Sequence, residues 1–374
     1  MRFTTMRWPR LGALIFMSEE HKISAVKQMT SGHNLKELAK HLGVSPTTIS
    51  RVINNAGNKY RISEETQKRV LAAAAEMNYK ASPLARGLRS RRSQTIGVMV
   101  PEISAGYAAA VLSGIEDVLL LSGFFYFVVS HHHREELLRE YPALLLSRAV
   151  EGIIAVDSTL EAELPVPTIV VSGHRRSASV VSIELDHDLA AHFALEHLQR
   201  LGHRRIAFIK GQSFSSDTEI RWQAIVRAAA QLQIPIDPHL VVALEGDDPT
   251  SAPGRVAAHK LLAAQAPFSA IFAFNDLSAM GAIVALREAG MEVPRRVSVV
   301  GFDDVLGAAT NYPPLTTVRQ PLQEMGRAAA TALLERIRDP KAGETQAPSG
   351  SILVLPTFVE RKSTGPAPKD VAAR

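Results

Sequence analysis

Two serines, two threonines and an arginine fall close together in Val44-Ser-Pro-Thr-Thr-Ile-Ser-Arg-Val-Ile-Asn54. If a helix starts after Ser45, then Pro46, Thr47, Ser50 and Arg51 lie away from the apolar stripe Ile49, Val52 and Ile53. Such a face has the chemistry to read base edges. Threonine offers a hydroxyl and a methyl, and arginine offers the planar fork that matches guanine O6 and N7. Arg51 would serve equally well against a carboxylate or a backbone phosphate, and the residues alone leave these options open.

The other chemically suggestive clusters argue against catalysis. His131-His132-His133 cannot all point one way on a strand or helix, and no second cluster at ligand spacing accompanies them. They are expected in a solvated loop after Phe124–Val129, with no metal, at a strand end that could border a cleft. Asp303 and Asp304 are adjacent at a strand end, so their carboxylates should point to opposite sides. The chain has no phosphate-cradling glycine loop, no His-Glu-x-x-His and no nucleophile elbow. No catalytic residue, cofactor or enzymatic activity is expected.

The elements that would carry the Ser45–Arg51 face are legible on either side of it. Leu35, Leu38, Ala39 and Leu42 recur at helical spacing, and Gly43 suits the tight turn that ends that helix. Ser45 then reads as an N-cap with Pro46 at the first helical position. A third helix opens at Ser63, with Glu64 and Glu65 in its first turn and Val70, Ala73, Ala74 and Met77 facing inward. Three short helices with a tight turn between the first two describe a helix-turn-helix module. A basic connector with Pro83 and Gly87 follows. Beyond it, apolar runs (Thr95–Val100, Phe124–Val129, Gly152–Val156, Thr168–Val171, Arg205–Ile209, Ala270–Phe274, Val297–Phe302) alternate with helical stretches. That alternation predicts parallel sheets covered by crossover helices.

Charge divides along the same boundary. Residues 1–92 hold 17 Lys and Arg against 6 Asp and Glu, and the remainder holds 25 against 31. The chain as a whole carries +5. A basic front on an acidic body is the footprint expected when one module meets phosphate and the other does not. The chain lacks cysteine, so disulfides and thiolate metal sites are excluded. No apolar run approaches the roughly 20 residues of a membrane helix.

Taken together, Leu35–Asn54, Arg61–Tyr79 and Ser82–Leu88 resemble the DNA-binding region and hinge of the lactose/galactose-repressor (LacI/GalR) family. The similarity continues through Gln94–Pro101, Gly202–Ile209, Phe274–Gly290, Val297–Asp304 and Pro313–Pro321. It implies an all-α helix-turn-helix domain and hinge helix joined to a two-lobed α/β domain of type I periplasmic-binding-protein fold. The implied boundaries are an N-terminal extension at 1–33 (an over-extended start or a disordered arm), reader 34–79, hinge 80–93, effector-binding and dimerisation domain 94–365, and tail 366–374. The first lobe should hold about 94–185 and 321–350, the second about 186–320 and 351–365.

By position, the resemblance implies DNA contacts from Ser45, Pro46, Thr47, Thr48, Ser50, Arg51 and Ala85. Leu88 is implied as an apolar wedge in the minor groove. It places a small-molecule effector among Ser104, Tyr107, Ser172, Asp217, Arg221, Asn275 and Asp303. Arg221 has the alternative of a salt bridge with Asp217 or Glu219 on one helix face. Three departures stand out. Ala105-Gly106-Tyr107-Ala108 replaces the family's Asn-Pro-Phe-Phe, Ser172 stands where an Asp is usual, and Asn54–Ile62 is about three residues longer than is common. The ligand class is therefore open between a sugar and a carboxylated metabolite. The implied protein is a bacterial cytoplasmic repressor, associated with the nucleoid when bound. It would be a homodimer or tetramer on pseudo-palindromic duplex DNA, with operator affinity set by the effector. A solute-binding protein or an α/β enzyme would leave the basic front and the reader helix unexplained.

Overall fold

The computed structural model describes residues 35–53, 58–77, 79, 92–104, 106–158, 160, 163–172, 180–339 and 351–369. The chain divides into two compact units, Met1–Ser93 and Gln94–Arg374.

The first unit is built from α1 (Leu35–Leu42), α2 (Pro46–Ile53), a single 3-10 turn (Asn58–Tyr60) and α3 (Glu64–Glu76). Leu38, Ala39, Ile49, Val52, Val70 and Ala73 bury against one another, one pair from each helix. Gly43, at φ +65°, turns the chain between α1 and α2 in a backbone region open to glycine at little cost. Gln67 Nε2 donates to Asn58 Oδ1 and to the Ile62 carbonyl, at 2.9 and 2.8 Å, tying the 3-10 turn to α3. Ser63 caps α3 by accepting from the Thr66 amide at 3.3 Å.

The second unit carries two six-stranded sheets. The first contains β1 (Thr95–Val100), β2 (Phe125–Ser130), β3 (Gly152–Val156), β4 (Thr168–Val171) and β5 (Val180–Leu185), with α4 (Gly106–Leu121) and α5 (Glu135–Ser147) as crossovers. The second contains β6 (Ile206–Lys210), β7 (Val241–Ala243), β8 (Ala270–Ala273), β9 (Ser298–Asp303) and β10 (Thr316–Arg319). It is reached through α6 (His187–Arg200) and covered by α7 (Asp217–Gln231), α8 (Ala252–Ala263), α9 (Asp276–Glu288) and the short α10 (Leu306–Thr310). The chain then returns through α11 (Leu322–Arg338) to the first sheet, with β11 (Ser351–Val354), and to the second, with β12 (Thr357–Val359). The strand orders are β11-β5-β4-β3-β1-β2 and β12-β10-β9-β8-β6-β7. All pairings are parallel except β12 against β10.

Sequence boundaries need one correction. Ser351–Val354, expected in the second lobe, pairs with Ser182–Leu185 and completes the first sheet. The final crossover therefore falls at Leu355-Pro356. Its alternating residues are mostly exposed, so hydropathy gave no sign of which sheet it would join.

The lobes owe their cohesion to strands buried on both faces. Every residue of β1, β3 and β4 is buried, and each fully covered Val or Ile contributes roughly 1.5–3 kcal/mol. Helices α4 and α11 cross over one face of the first sheet with Gly114 and Gly326 at their contact. A Cβ on Gly326 would stand 2.0 Å from the Val111 carbonyl oxygen, so the close approach requires glycine.

Candidate functional site

Helix α2 presents the predicted reader face. Ser45 Oγ accepts from the Thr48 amide at 3.0 Å and lies 2.9 Å from Thr48 Oγ1. The cap is therefore as expected, and it engages Thr48 as a capping partner. Pro46 and Thr47 are exposed at the helix start, Ser50 and Arg51 half-buried, and Ile49 and Val52 face the core. Arg51 meets no carboxylate among the described residues. Its guanidinium lies over the Tyr60 ring, 3.9 Å from the centroid. Sequence reasoning missed Tyr60, although an aromatic beside Lys59 in a basic module was the available signal. Ala85 and Leu88 lie outside the described residues.

The larger candidate site is a cavity of about 530 Å³ between the two lobes of the second unit. The carboxyl ends of the strands open onto it, where α/β sheets ordinarily bind ligands. Tyr107, Asp217, Arg221, Asn275 and Asp303 all line it. Arg221 enters from α7 almost fully buried. Its Nη2 donates to Asp217 Oδ2 at 3.0 Å and its Nη1 to the Phe274 carbonyl at 2.6 Å. The Phe302 and Phe274 rings flank it at 3.8 and 4.4 Å. The salt-bridge alternative for Arg221 is thus realised, and the pair lies in the cavity wall.

Asp303 at the end of β9 accepts from Gln320 Nε2 at 2.6 Å. Burial, with Asp217 and Asp157 nearby, pushes its carboxyl up to about 7 despite the attraction of Arg221. Asp304 turns away to Arg319 and Arg361, each at 2.6 Å, so the adjacent carboxylates diverge as expected. Asn275 Oδ1 caps α9 by accepting from the Ser278 amide at 2.8 Å. Its side-chain Nδ2 makes no hydrogen bond among the described residues and is what it can offer a ligand.

Two expected residues sit elsewhere. Ser104 is exposed and does not line the cavity. Ser172 is buried one layer back, where its Oγ accepts from the Tyr107 hydroxyl at 2.9 Å. It orients Tyr107 without facing the ligand space.

The histidine triplet requires a larger correction. His131 is fully buried, with Nε2 at 2.8 Å from Ser158 Oγ and Nδ1 accepting the His133 amide at 3.1 Å. Burial pushes it down to about 4, so the ring is neutral. His132 and His133 line the cavity, and His133 stacks on Phe214 with centroids 4.1 Å apart. For His131 alone, a satisfied buried imidazole replaces the solvated loop that the sequence suggested; His132 stays exposed at the border of the cleft. No group among the described residues could hold a metal ion.

Asp157, at the end of β3, was also missed. The Ser216 hydroxyl and amide approach its Oδ1 at 2.8 and 3.3 Å, and the same hydroxyl touches the Ser172 carbonyl, joining the two lobes. Burial and the neighbouring Asp217 raise Asp157 to about 6.

Known proteins place both units. Residues 34–82 match the model of bacterial regulatory proteins of the lacI family, and residues 195–364 match a periplasmic binding protein-like domain. The HTH-type transcriptional repressor PurR of Aliivibrio fischeri (strain ATCC 700601 / ES114) is 32% identical over 315 residues, covering 82% of this chain and 92% of that one. The lac repressor dimer bound to operator and the anti-inducer ONPF superposes with a TM-score of 0.78 at 27% identity, over 89% of this chain and 99% of its own. The transcriptional regulator CelR in complex with cellobiose gives a TM-score of 0.65 at 27% identity, over 88% and 99%. Both units and the order that joins them being matched, the chain belongs to the LacI/GalR family of helix-turn-helix transcription regulators, a family of DNA-binding proteins and not of enzymes.

Proposed function

We propose that this protein is a repressor that binds a pseudo-palindromic operator as a homodimer and changes its operator affinity when a small molecule occupies the cleft. The observation that carries this reading is a capped helix with Pro46 and Thr47 exposed at its start, in one chain with a 530 Å³ cavity floored by buried charge. Pro46, Thr47, Ser50 and Arg51 contact base edges, with Ser45 and Thr48 securing the helix start. Ala85 and Leu88 act from the hinge, Leu88 by partly unstacking the central base step. Tyr107, Asp217, Arg221, Asn275 and Asp303 grip the effector. Effector binding and operator binding are linked because each stabilises one arrangement of the same chain. The site of action is the bacterial cytoplasm, where the DNA is.

Selection from random duplexes tests the reading, followed by titration of the winner with wild-type and Arg51→Ala protein. Loss of one bidentate base contact costs about 1–3 kcal/mol and relaxes preference at a single position. Equal weakening on every sequence would make Arg51 a phosphate contact. Absence of any preferred duplex at moderate salt would remove the function altogether.

A further inference from the structure

The cleft floor is built with more negative charge than it neutralises. Among the described residues, the cavity lining holds the carboxylates of Glu102, Asp157, Asp217, Asp247, Asp248 and Asp303 against one guanidinium, Arg221. That guanidinium donates to Asp217 and the Phe274 carbonyl, while its buried Nε makes no hydrogen bond among the described residues. Asp157 and Asp303 receive neutral donors alone, from Ser216 and from Gln320, and each uses Oδ1 for them. The Oδ2 atoms of both make no hydrogen bond among the described residues. Asp276 stands behind Asp303, accepting from Thr317 Oγ1 at 2.6 Å and from the Val305 amide at 2.8 Å, and adds a further carboxylate to the same neighbourhood.

A second observation concerns hydrogen bonding. Glu102 Oε1, just after β1, is buried against the cavity with no hydrogen-bond partner among the described residues. A buried acceptor without a donor is a defect in a folded protein unless something else supplies the proton. At the rim, the Phe214 ring, paired with His133, provides an aromatic face of the kind that attracts cations. Burial holds His133 below its ordinary value, so it adds little positive charge of its own. Arg175 and Arg176, which follow Ser172 in sequence, lie outside the described residues and do not enter this balance.

From this arrangement we infer that the effector of this regulator is a cation, a hydroxyl-bearing molecule with a protonated amine that sits between Asp157 and Asp303. The inference rests on the cleft being the effector site, and it replaces the carboxylated metabolite left open by the sequence. A carboxylate would meet six carboxyl groups with one guanidinium to balance them among the described lining residues. An ammonium donates three hydrogen bonds and needs no acceptor, which matches what Asp157, Asp303 and Glu102 lack. The raised carboxyls of Asp157 and Asp303 agree, since burial, with Asp217 nearby, disfavours the charged form of each. Binding an ammonium should therefore expel protons from this pair.

The test uses full-length protein and matched small molecules: hydroxylated frames each carrying an amine, an alcohol or a carboxylate at the same carbon, such as 6-amino-6-deoxyglucose, glucose and glucuronate. Binding is read by calorimetry in two buffers of different ionisation enthalpy, and by the shift in operator retention. Amines should bind about 10- to 100-fold more tightly than their matched alcohols, as expected for one charge-assisted hydrogen bond, with proton release. Asp157→Asn should bring the ratio of amine to alcohol affinity toward one, and the ligand-free variant should melt higher. Tighter binding of alcohols or carboxylates, or equal weakening of all three by Asp157→Asn, overturns the inference and leaves the effector cleft standing. If no frame of any charge binds or shifts operator retention, the cleft reading beneath it falls as well.

Discussion

Asp303→Asn should make the ligand-free protein more stable, and by an amount that grows with pH. Asp303 is 6% exposed and its carboxyl is raised from 3.8 to about 7. In the unfolded chain it titrates near 3.9, so the folded state holds its proton more tightly. Below about pH 4 the group is protonated in both states and costs nothing. As pH rises toward 7, folding must either retain a proton from increasingly basic solvent or bury a charge, and stability falls throughout that window. Three units correspond to a penalty on the order of 4 kcal/mol at pH 8 and below about 2 kcal/mol at pH 5. Asparagine keeps an oxygen for the Gln320 amide and removes the ionisation. Its neighbours set the residual: Asp217 and Arg221 on α7, Asp157 at the end of β3, Tyr107 on α4 and Asp276 on α9. Loss of attraction to Arg221 trims the gain, which places it at roughly 2–4 kcal/mol at pH 8. Urea denaturation at pH 5, 6, 7 and 8 measures this directly. A difference between variant and wild type that stays flat with pH, or an Asn variant less stable at pH 8, would refute the idea that an unneutralised buried carboxylate sits at this position.

Three other outcomes follow from the geometry. Gly326→Ala should cost roughly 2–3 kcal/mol by forcing α4 and α11 apart, despite the roughly 1 kcal/mol that alanine gains in helix propensity, and thermal melting will show it. Ser45→Ala removes the acceptor for the Thr48 amide and should destabilise the reader unit by about 1 kcal/mol, seen as earlier loss of its helical circular dichroism. Tyr60→Ala should leave melting nearly unchanged while weakening operator binding by about 0.5–1 kcal/mol, because the ring over Arg51 limits the rotamers from which that fork must be recruited. Fluorescence anisotropy with a labelled duplex separates that from a folding defect.

How much of this was legible in sequence depended on the kind of signal each element carries. Helices α1 to α3 were readable to their ends because periodicity and capping chemistry agreed at Gly43, Ser45 and Ser63. Strands β1, β3 and β4 were equally clear as unbroken apolar runs. β5, β7, β10, β11 and β12 went unread. Thr316 and Thr317 in β10 are buried polar residues, satisfied by Ser363, Thr364 and Asp276, so hydropathy gave no cue. His131 misled for the same reason: a hydrogen bond to Ser158 converts a histidine run into core. In both cases the deciding partner is distant in sequence.

The cleft shows why its own residues were the hardest to place. His132, His133, Asp157, Ser172 and Asp303 all adopt positive φ, between +42° and +110°, although none is glycine. All five sit at or just after the carboxyl ends of β2, β3, β4 and β9, four of them line the cavity, and Ser172 supports Tyr107 from behind. Each such conformation costs on the order of 1–3 kcal/mol and persists only where surrounding structure over-determines it. A chain selected for stability alone would place glycine at these turns. The side chains that stand there instead carry imidazole, carboxyl or hydroxyl groups, so the strain is the cost of aiming polar groups into one space. Local propensity therefore points away from the residues that matter most, and their roles emerge only when the two sheets bring the strand ends together.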